Sequence, residues 1–133
     1  ERGRKELAHR VPFFKHVPFV YTSAMSGLRV RNLLDLIVEV AQTRQRRIET
    51  AEANRVLERL VQRQQPPQAV GREVKLFYVS QIGTAPPTFA IVTSRPDAIP
   101  ESYQRYLVNG FYREWGFVGT PIRLKLRRRR DRK

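Results

Sequence analysis

The stretch P-E-S-Y-Q-R-Y-L-V-N-G-F-Y-R-E-W-G, from Pro100 to Gly116, decides the fold. Pro100 suits the first position of a helix, where a missing N–H costs nothing. Tyr103, Tyr106, Leu107, Gly110, Phe111 and Trp115 then recur at three- and four-residue spacing and fall on one side. Gly116 can close the helix in the left-handed conformation. Gly110 costs about 1 kcal/mol relative to alanine inside a helix, and close approach to a sheet is the expected reason for it. The segment therefore reads as one unbroken helix with an aromatic buried side.

Short strand patterns flank that helix. Thr88 to Thr93 is apolar and follows a loop with Gly83 and Pro86-Pro87. Val74 to Val79 alternates, as a strand does. Ser94-Arg95-Pro96-Asp97 carries turn chemistry. After the helix, Ile122, Leu124 and Leu126 alternate with Arg123, Lys125 and Arg127, a strand with one apolar and one basic face. Upstream, Thr50 can cap a helix, with Glu52 in its first turn. Ala53, Val56, Leu57, Leu60 and Val61 form its buried stripe, and Gln65-Pro66-Pro67 stops it. Residues 47–126 thus give α-β-β-α-β, a three-stranded sheet with two helices on one face.

The first 46 residues follow another pattern. Arg4 to Phe14 reads as a helix end and Val17 to Thr22 as a strand buried on both faces. Thr22 to Gly27 turns into a long amphipathic helix whose stripe is Val30, Leu33, Leu34, Ile37, Val40 and Ala41, opposite Arg31, Asp35, Glu39 and Gln42. The basic run T-R-Q-R-R, Thr43 to Arg47, reads as a linker. One strand and one helix are too few to close a core, so this unit must lean on something else.

Composition narrows the function. The chain has 133 residues, 26 Lys and Arg against 12 Asp and Glu, and a formal charge of +14. Such an excess repels itself and attracts polyanions. Only five of the cations are lysine, and guanidinium groups suit bidentate phosphate contact and base stacking. The absence of cysteine excludes disulfides, thiolate catalysis and cysteine-ligated zinc. No apolar run reaches the ~18 residues of a membrane span, and E-R-G-R-K-E at the start is not followed by a signal-peptide core. A cytoplasmic location and no membrane partner are expected. His9 and His16 lack companions at metal-ligand spacing, and no Ser/His/Asp arrangement exists, so no catalytic or metal residue is assigned.

The ordered set Q-Q-P-P (64–67), G-R (71–72), V-K-L-F-Y (74–78), A-P-P (85–87), I-P-E-S-Y-Q-R-Y-L (99–107) and G-T-P-I-R (119–123) resembles the C-terminal KH-like domain of the bacterial EngA (Der) GTPases. These carry two tandem GTPase domains before that domain and act in large ribosomal subunit assembly. The resemblance implies an α/β (α+β) fold with residues 1–46 as the final strand and helix of the second GTPase domain and 47–126 as the KH-like domain; the charge run at 127–133 reads as a basic, disordered tail. Ser23, Ala24 and Met25 match the family's guanine-proximal loop. GTP and Mg belong to the intact family protein. This chain has no G-x-x-x-x-G-K-[ST], N-K-x-D or D-x-x-G motif, so no cofactor and no GTP hydrolysis are expected of it alone.

Standard KH domains grip RNA with a G-x-x-G loop between two helices. Here Gly116-Phe117-Val118-Gly119 lies between a helix and a strand and is read as a cap and turn. The phosphate-binding candidates are instead basic: Arg72, Lys75, Arg123, Lys125 and Arg127 on neighbouring strands, with Arg128, Arg129, Arg130, Arg132 and Lys133 in the tail. The aromatics fall mostly at core spacing, with Tyr112 the one expected to be exposed. Implied partners are ribosomal RNA in the large subunit and the family's own GTPase domains. Two alternatives stay open: a regulatory module that binds those GTPase domains rather than RNA, and an unrelated small basic binding protein.

Overall fold

A computed structural model describes residues 30–68 and 71–130. The elements are α1 (Val30–Arg44), α2 (Thr50–Arg63), β1 (Leu76–Gly83), β2 (Thr88–Thr93), a 3₁₀ turn (Pro96–Ala98), α3 (Glu101–Trp115) and β3 (Arg123–Arg128). The expected helix end and strand before Thr22, the Ser23–Met25 loop, His9, His16, Arg132 and Lys133 lie outside the described residues.

The strands form one mixed sheet in the order β1-β2-β3, with β1 antiparallel and β3 parallel to β2. An antiparallel step needs only the short 84–87 turn, whereas the parallel step needs a crossover, which α3 supplies. The fold is the α+β arrangement expected, with α2 and α3 over one face. Phe89 and Ile91 of the central strand are fully buried against that layer, with Val79, Leu107 and Phe111. Phe89 lies 5.3 Å from the Phe111 ring centroid and 5.2 Å from Trp115, and Phe117 closes the cluster edge-on.

Several local details differ from the sequence reading. Glu49, not Thr50, stands at the N-cap of α2, and no side chain caps the helix. Pro100 likewise sits one residue before α3, at its cap. β1 begins at Leu76 and runs to Gly83, later and longer than Val74–Val79. Val74 is buried before the strand starts, so an inward apolar residue had marked the core and not the ladder. Gly110 does admit a close approach, but by a helix: a Cβ built there would meet Leu60 Cδ2 of α2 at 2.5 Å. Gly116 has the expected left-handed backbone, φ 63° and ψ 40°, and its N–H donates to Tyr112 O at 2.8 Å.

Polar side chains tie these layers together. Tyr103 and Tyr106 of α3 donate their hydroxyls to Gln64 O and Leu60 O, at 2.7 and 2.6 Å, satisfying carbonyls at the C-terminal end of α2. Asn54 of α2 reaches the outer edge of β1, where its amide accepts from Val79 N–H and donates to Val79 O, each at 2.9 Å. That side chain stands in for a neighbouring strand and blunts an exposed sheet edge.

The T-R-Q-R-R run is not a free linker. Gln81 of β1 accepts from Ile48 N–H at 2.7 Å and donates to Arg46 O at 3.0 Å. The Arg46 guanidinium donates to Trp115 O at 2.5 Å, at the negative end of the α3 dipole. Arg44 O accepts from Ala85 N–H at 2.8 Å. These bonds fix the chain leaving α1 to the sheet and to α3. By contrast, part of the apolar side of α1 is uncovered among the described residues: Leu34 and Ile37 of its stripe, and the adjacent Val38, are each more than half exposed.

Candidate nucleic-acid interface

Strand parity separates the two faces of the sheet. In the register of β2 with β3, Phe89 stands opposite Leu124 and Ile91 opposite Leu126, on the helix-covered side. Thr88, Ala90 and Val92 stand opposite Arg123, Lys125 and Arg127. Alternate side chains point to opposite faces, so these three cations form a column on the open face. All three are exposed. On the other edge, Tyr78 stands opposite Val92 and Ser80 opposite Ala90. The open face thus runs from Tyr78 and Ser80, across a small apolar strip, to a cationic edge.

A register shift between Leu76 and Tyr78 inserts Phe77 as an extra residue in β1. Such bulges re-aim side chains. Here Phe77 and the adjacent Tyr78 are both exposed, at 38% and 50%. The Arg129 guanidinium lies 4.9 Å from the Phe77 ring centroid, and Arg129 N–H donates to Thr93 O at 3.3 Å, prolonging the β2–β3 ladder past the strand end.

The predicted cations are not all brought together. Arg123, Lys125, Arg127, Arg128, Arg129 and Arg130 gather on or just beyond β3. Arg127 and Arg128 belong to the strand, so the ordered part of the chain extends into the run read as a tail. Arg72 and Lys75 precede β1 and lie on no strand of the sheet. β1 and β3 are opposite edges with β2 between them, about 10 Å apart. Lys75 Nζ sits 3.9 Å from Glu73 Oε2, a weak pair on the surface. Among the described residues no carboxylate pairs with a cation of β3 or of Arg129–Arg130; the other ion pair there joins Arg59 to Glu114.

The aromatic assignment also changes. Tyr112 is partly buried. Its hydroxyl donates to Thr120 O at 2.6 Å and accepts from Ile122 N–H at 3.0 Å, stitching α3 to the approach of β3. Burial raises its pKa above the ordinary tyrosine value. Tyr78 takes the exposed role instead. It stands at a strand position whose alternation looked regular, and only the bulge at Phe77 sets which face it occupies. The Gly116–Gly119 segment is a turn: both glycines have positive φ, 63° and 74°, and Phe117 between them is fully buried.

The described residues hold no group of three or more His, Cys, Asp or Glu able to bind a metal ion. No helix among them is long and apolar enough to cross a membrane.

Residues 47–127 match the family described as the KH-domain-like C-terminal domain of EngA bacterial GTPase enzymes. The chain belongs to the EngA GTPase family. Its KH-like domain is the α2-β1-β2-α3-β3 unit, and the match ends at Arg127, in the basic strand. The chain is also similar to proteins named GTPase Der. It is 50% identical to that of Gemmatimonas aurantiaca over 129 residues, 97% of this chain and 30% of the relative. It is 37% identical to that of Halothermothrix orenii over the same shares, and 42% identical to that of Parvibaculum lavamentivorans over 94% of this chain and 26% of the relative. The chain therefore spans under a third of the length of these curated relatives. The similarity extends N-terminal to the KH-like domain and so takes in α1.

Proposed function

We propose that this chain is the part of an EngA (Der) GTPase that docks on ribosomal RNA during assembly of the large ribosomal subunit. One observation carries this reading. Arg123, Lys125 and Arg127 of β3 stand exposed on the sheet face away from the helices, and no carboxylate among the described residues neutralises them. A row of unpaired guanidinium and ammonium groups on a rigid strand is preorganised for phosphates. In this reading GTP and magnesium are held by the GTPase portion of the longer family protein, and Ser23, Ala24 and Met25 contribute to its guanine side. The KH-like domain supplies RNA affinity, and the pinned segment Arg44–Ile48 transmits force or position from α1 to it.

The test is a fluorescence-anisotropy titration of the chain against a large-subunit ribosomal RNA fragment across salt concentrations. Binding should weaken with salt, the log–log slope steepening by about 0.7 for each phosphate neutralised on a single strand. Absence of binding, or binding insensitive to salt, refutes the reading.

A second reading is favoured by α1. Leu34, Ile37 and Val38 form an uncovered apolar patch of the kind that packs against another layer. In this reading the chain is a regulatory module seated on its own GTPase domains through that helix. It predicts weak RNA binding and a large gain in α1 protection from hydrogen exchange when those domains are present.

A further inference from the structure

We propose that the cleft between Phe77–Tyr78 at the start of β1 and Arg127–Arg130 at the end of β3 binds unpaired nucleotides of RNA. The aromatic rings serve as stacking platforms and the arginines as phosphate clamps. This rests on the RNA-docking reading and adds which face of RNA is gripped, and by what.

Two adjacent, solvent-facing aromatic rings are the first observation. Every other tyrosine described is engaged: Tyr103, Tyr106 and Tyr112 each donate a hydroxyl to a backbone carbonyl. The Tyr78 hydroxyl makes no hydrogen bond among the described residues, and half of the residue is exposed. A bulge is what turns Phe77 out of the ladder beside it. Neither ring contributes to the core cluster.

The second observation is the company these rings keep. Phe77, Tyr78, Val92, Arg127, Arg129 and Arg130 share one cleft, which no carboxylate lines. Its volume is about 1390 Å³, beyond the ~300–1,000 Å³ typical of small-ligand clefts. An extended polymer fits it better than a free nucleotide. The Arg129 guanidinium already stands over the Phe77 ring at 4.9 Å, so a cation and an aromatic plane are held together before any ligand arrives.

These features select a ligand class. A duplex offers phosphates but hides its base faces, and its deep groove excludes side chains. A single strand offers both, and base stacking on aromatic rings tolerates any sequence. Arg127 and Arg130 line the same cleft as the rings, so the phosphates of a strand stacked on the β1 side meet cations across the cleft.

The experiment compares a fluorescein-labelled oligouridylate with a duplex RNA of equal charge, using the full chain and its variants. Phe77→Ala and Tyr78→Ala should each weaken oligouridylate binding by about 5- to 100-fold. Both should leave duplex binding and the salt slope unchanged. Phe77→Leu and Tyr78→Leu keep the side-chain bulk that shields Val92 while removing the stacking plane, and should show the same selective loss. Arg127→Gln with Arg129→Gln should weaken both RNAs and flatten the slope. Unchanged oligouridylate binding in the aromatic variants overturns this inference and leaves RNA docking standing. So does an equal loss on both RNAs. Failure of the unmodified chain to bind either RNA overturns the docking reading itself.

Discussion

The two faces of the three-stranded sheet are built from the same strands and differ only in parity. On the covered face, Phe89, Ile91, Leu124 and Leu126 meet α2 and α3, and aromatic rings stack within about 5 Å of one another. On the open face, Ala90 and Val92 lie between an aromatic edge and a cationic edge. The covered face holds its energy in burial, which is dense and intolerant of change. The open face holds exposed charge and two rings that lie outside the core cluster. A single-residue slip of β3 would exchange the two sets and destroy both. Stability and the proposed RNA recognition should therefore be separable by substitution, and the separation can be broken in three ways.

The largest effect belongs to the covered face. Phe89 is fully buried at the centre of the aromatic cluster, on the middle strand. Phe89→Ala should cost about 3–5 kcal/mol in urea unfolding, a large share of the ~5–15 kcal/mol that stabilises a domain. Phe89→Leu retains most of the apolar volume and should cost less, with salt-dependent RNA binding intact. A Phe89→Leu chain that remains folded but loses RNA binding would show that the faces are not independent.

A middle-sized effect comes from the tyrosine that joins the helices. Tyr103 is buried, and its pKa is pushed up to about 12, first by desolvation and then by the neighbouring Tyr106. A phenol held neutral by folding binds its proton more tightly in the folded state. Its contribution is therefore complete below the unfolded value near 10, and is lost as pH rises through about 12. Chemical unfolding followed from pH 9 upward, as a scan over roughly three units, should show stability falling across that window. Tyr103→Phe should flatten the fall. At neutral pH it should cost about 1 kcal/mol, because Gln64 O loses its donor.

Much of the covered face was legible, because it follows periodicity. The α3 stripe, the α2 stripe and the β3 alternation all placed apolar residues correctly, and Gly116 announced its cap. The errors share one cause: the signals were local and the determinants were not. Gly110 marked a close approach, but only packing shows that Leu60, fifty residues earlier, is what approaches. Tyr112 lay at the margin of a helical stripe, and its hydroxyl partners, Thr120 and Ile122, come from the following turn. Phe77 and Tyr78 sat in a run that alternated like any strand, and a one-residue bulge opposite Thr93 and Val92 reversed their sense. The basic side of β3 was legible as a strand face because charge and alternation coincide at Arg123, Lys125 and Arg127. Lys75 falls off the ladder because strand β1 starts two residues later than its apolar pattern, and Arg72 lies ahead of both starts.

The smallest effect on stability, and the sharpest test of the contrast, is on the open face. Arg123, Lys125 and Arg127 alternate along one strand, so neighbours stand roughly 6.6 Å apart at their Cα atoms. No carboxylate among the described residues offsets them, and their mutual repulsion opposes folding. The triple variant Arg123→Gln, Lys125→Gln, Arg127→Gln should change stability by no more than about 0.5 kcal/mol, in the stabilising direction at low salt. The gain should shrink as salt shortens the screening length from ~30 Å at 0.01 M to ~8 Å at 0.15 M. RNA binding should respond oppositely and strongly, with the salt slope flattening by about 0.7 for each cation removed that meets a single-strand phosphate. One competing term decides the sign. The long stems of these side chains lie beside Ala90 and Val92, which are 3% and 9% exposed although they face away from the helices. Glutamine keeps two of the stem methylenes, so most of that cover survives. A triple variant destabilised well beyond 0.5 kcal/mol would mean that the cations act as a lid on Val92 before they act as a charge, and that the open face is partly a core.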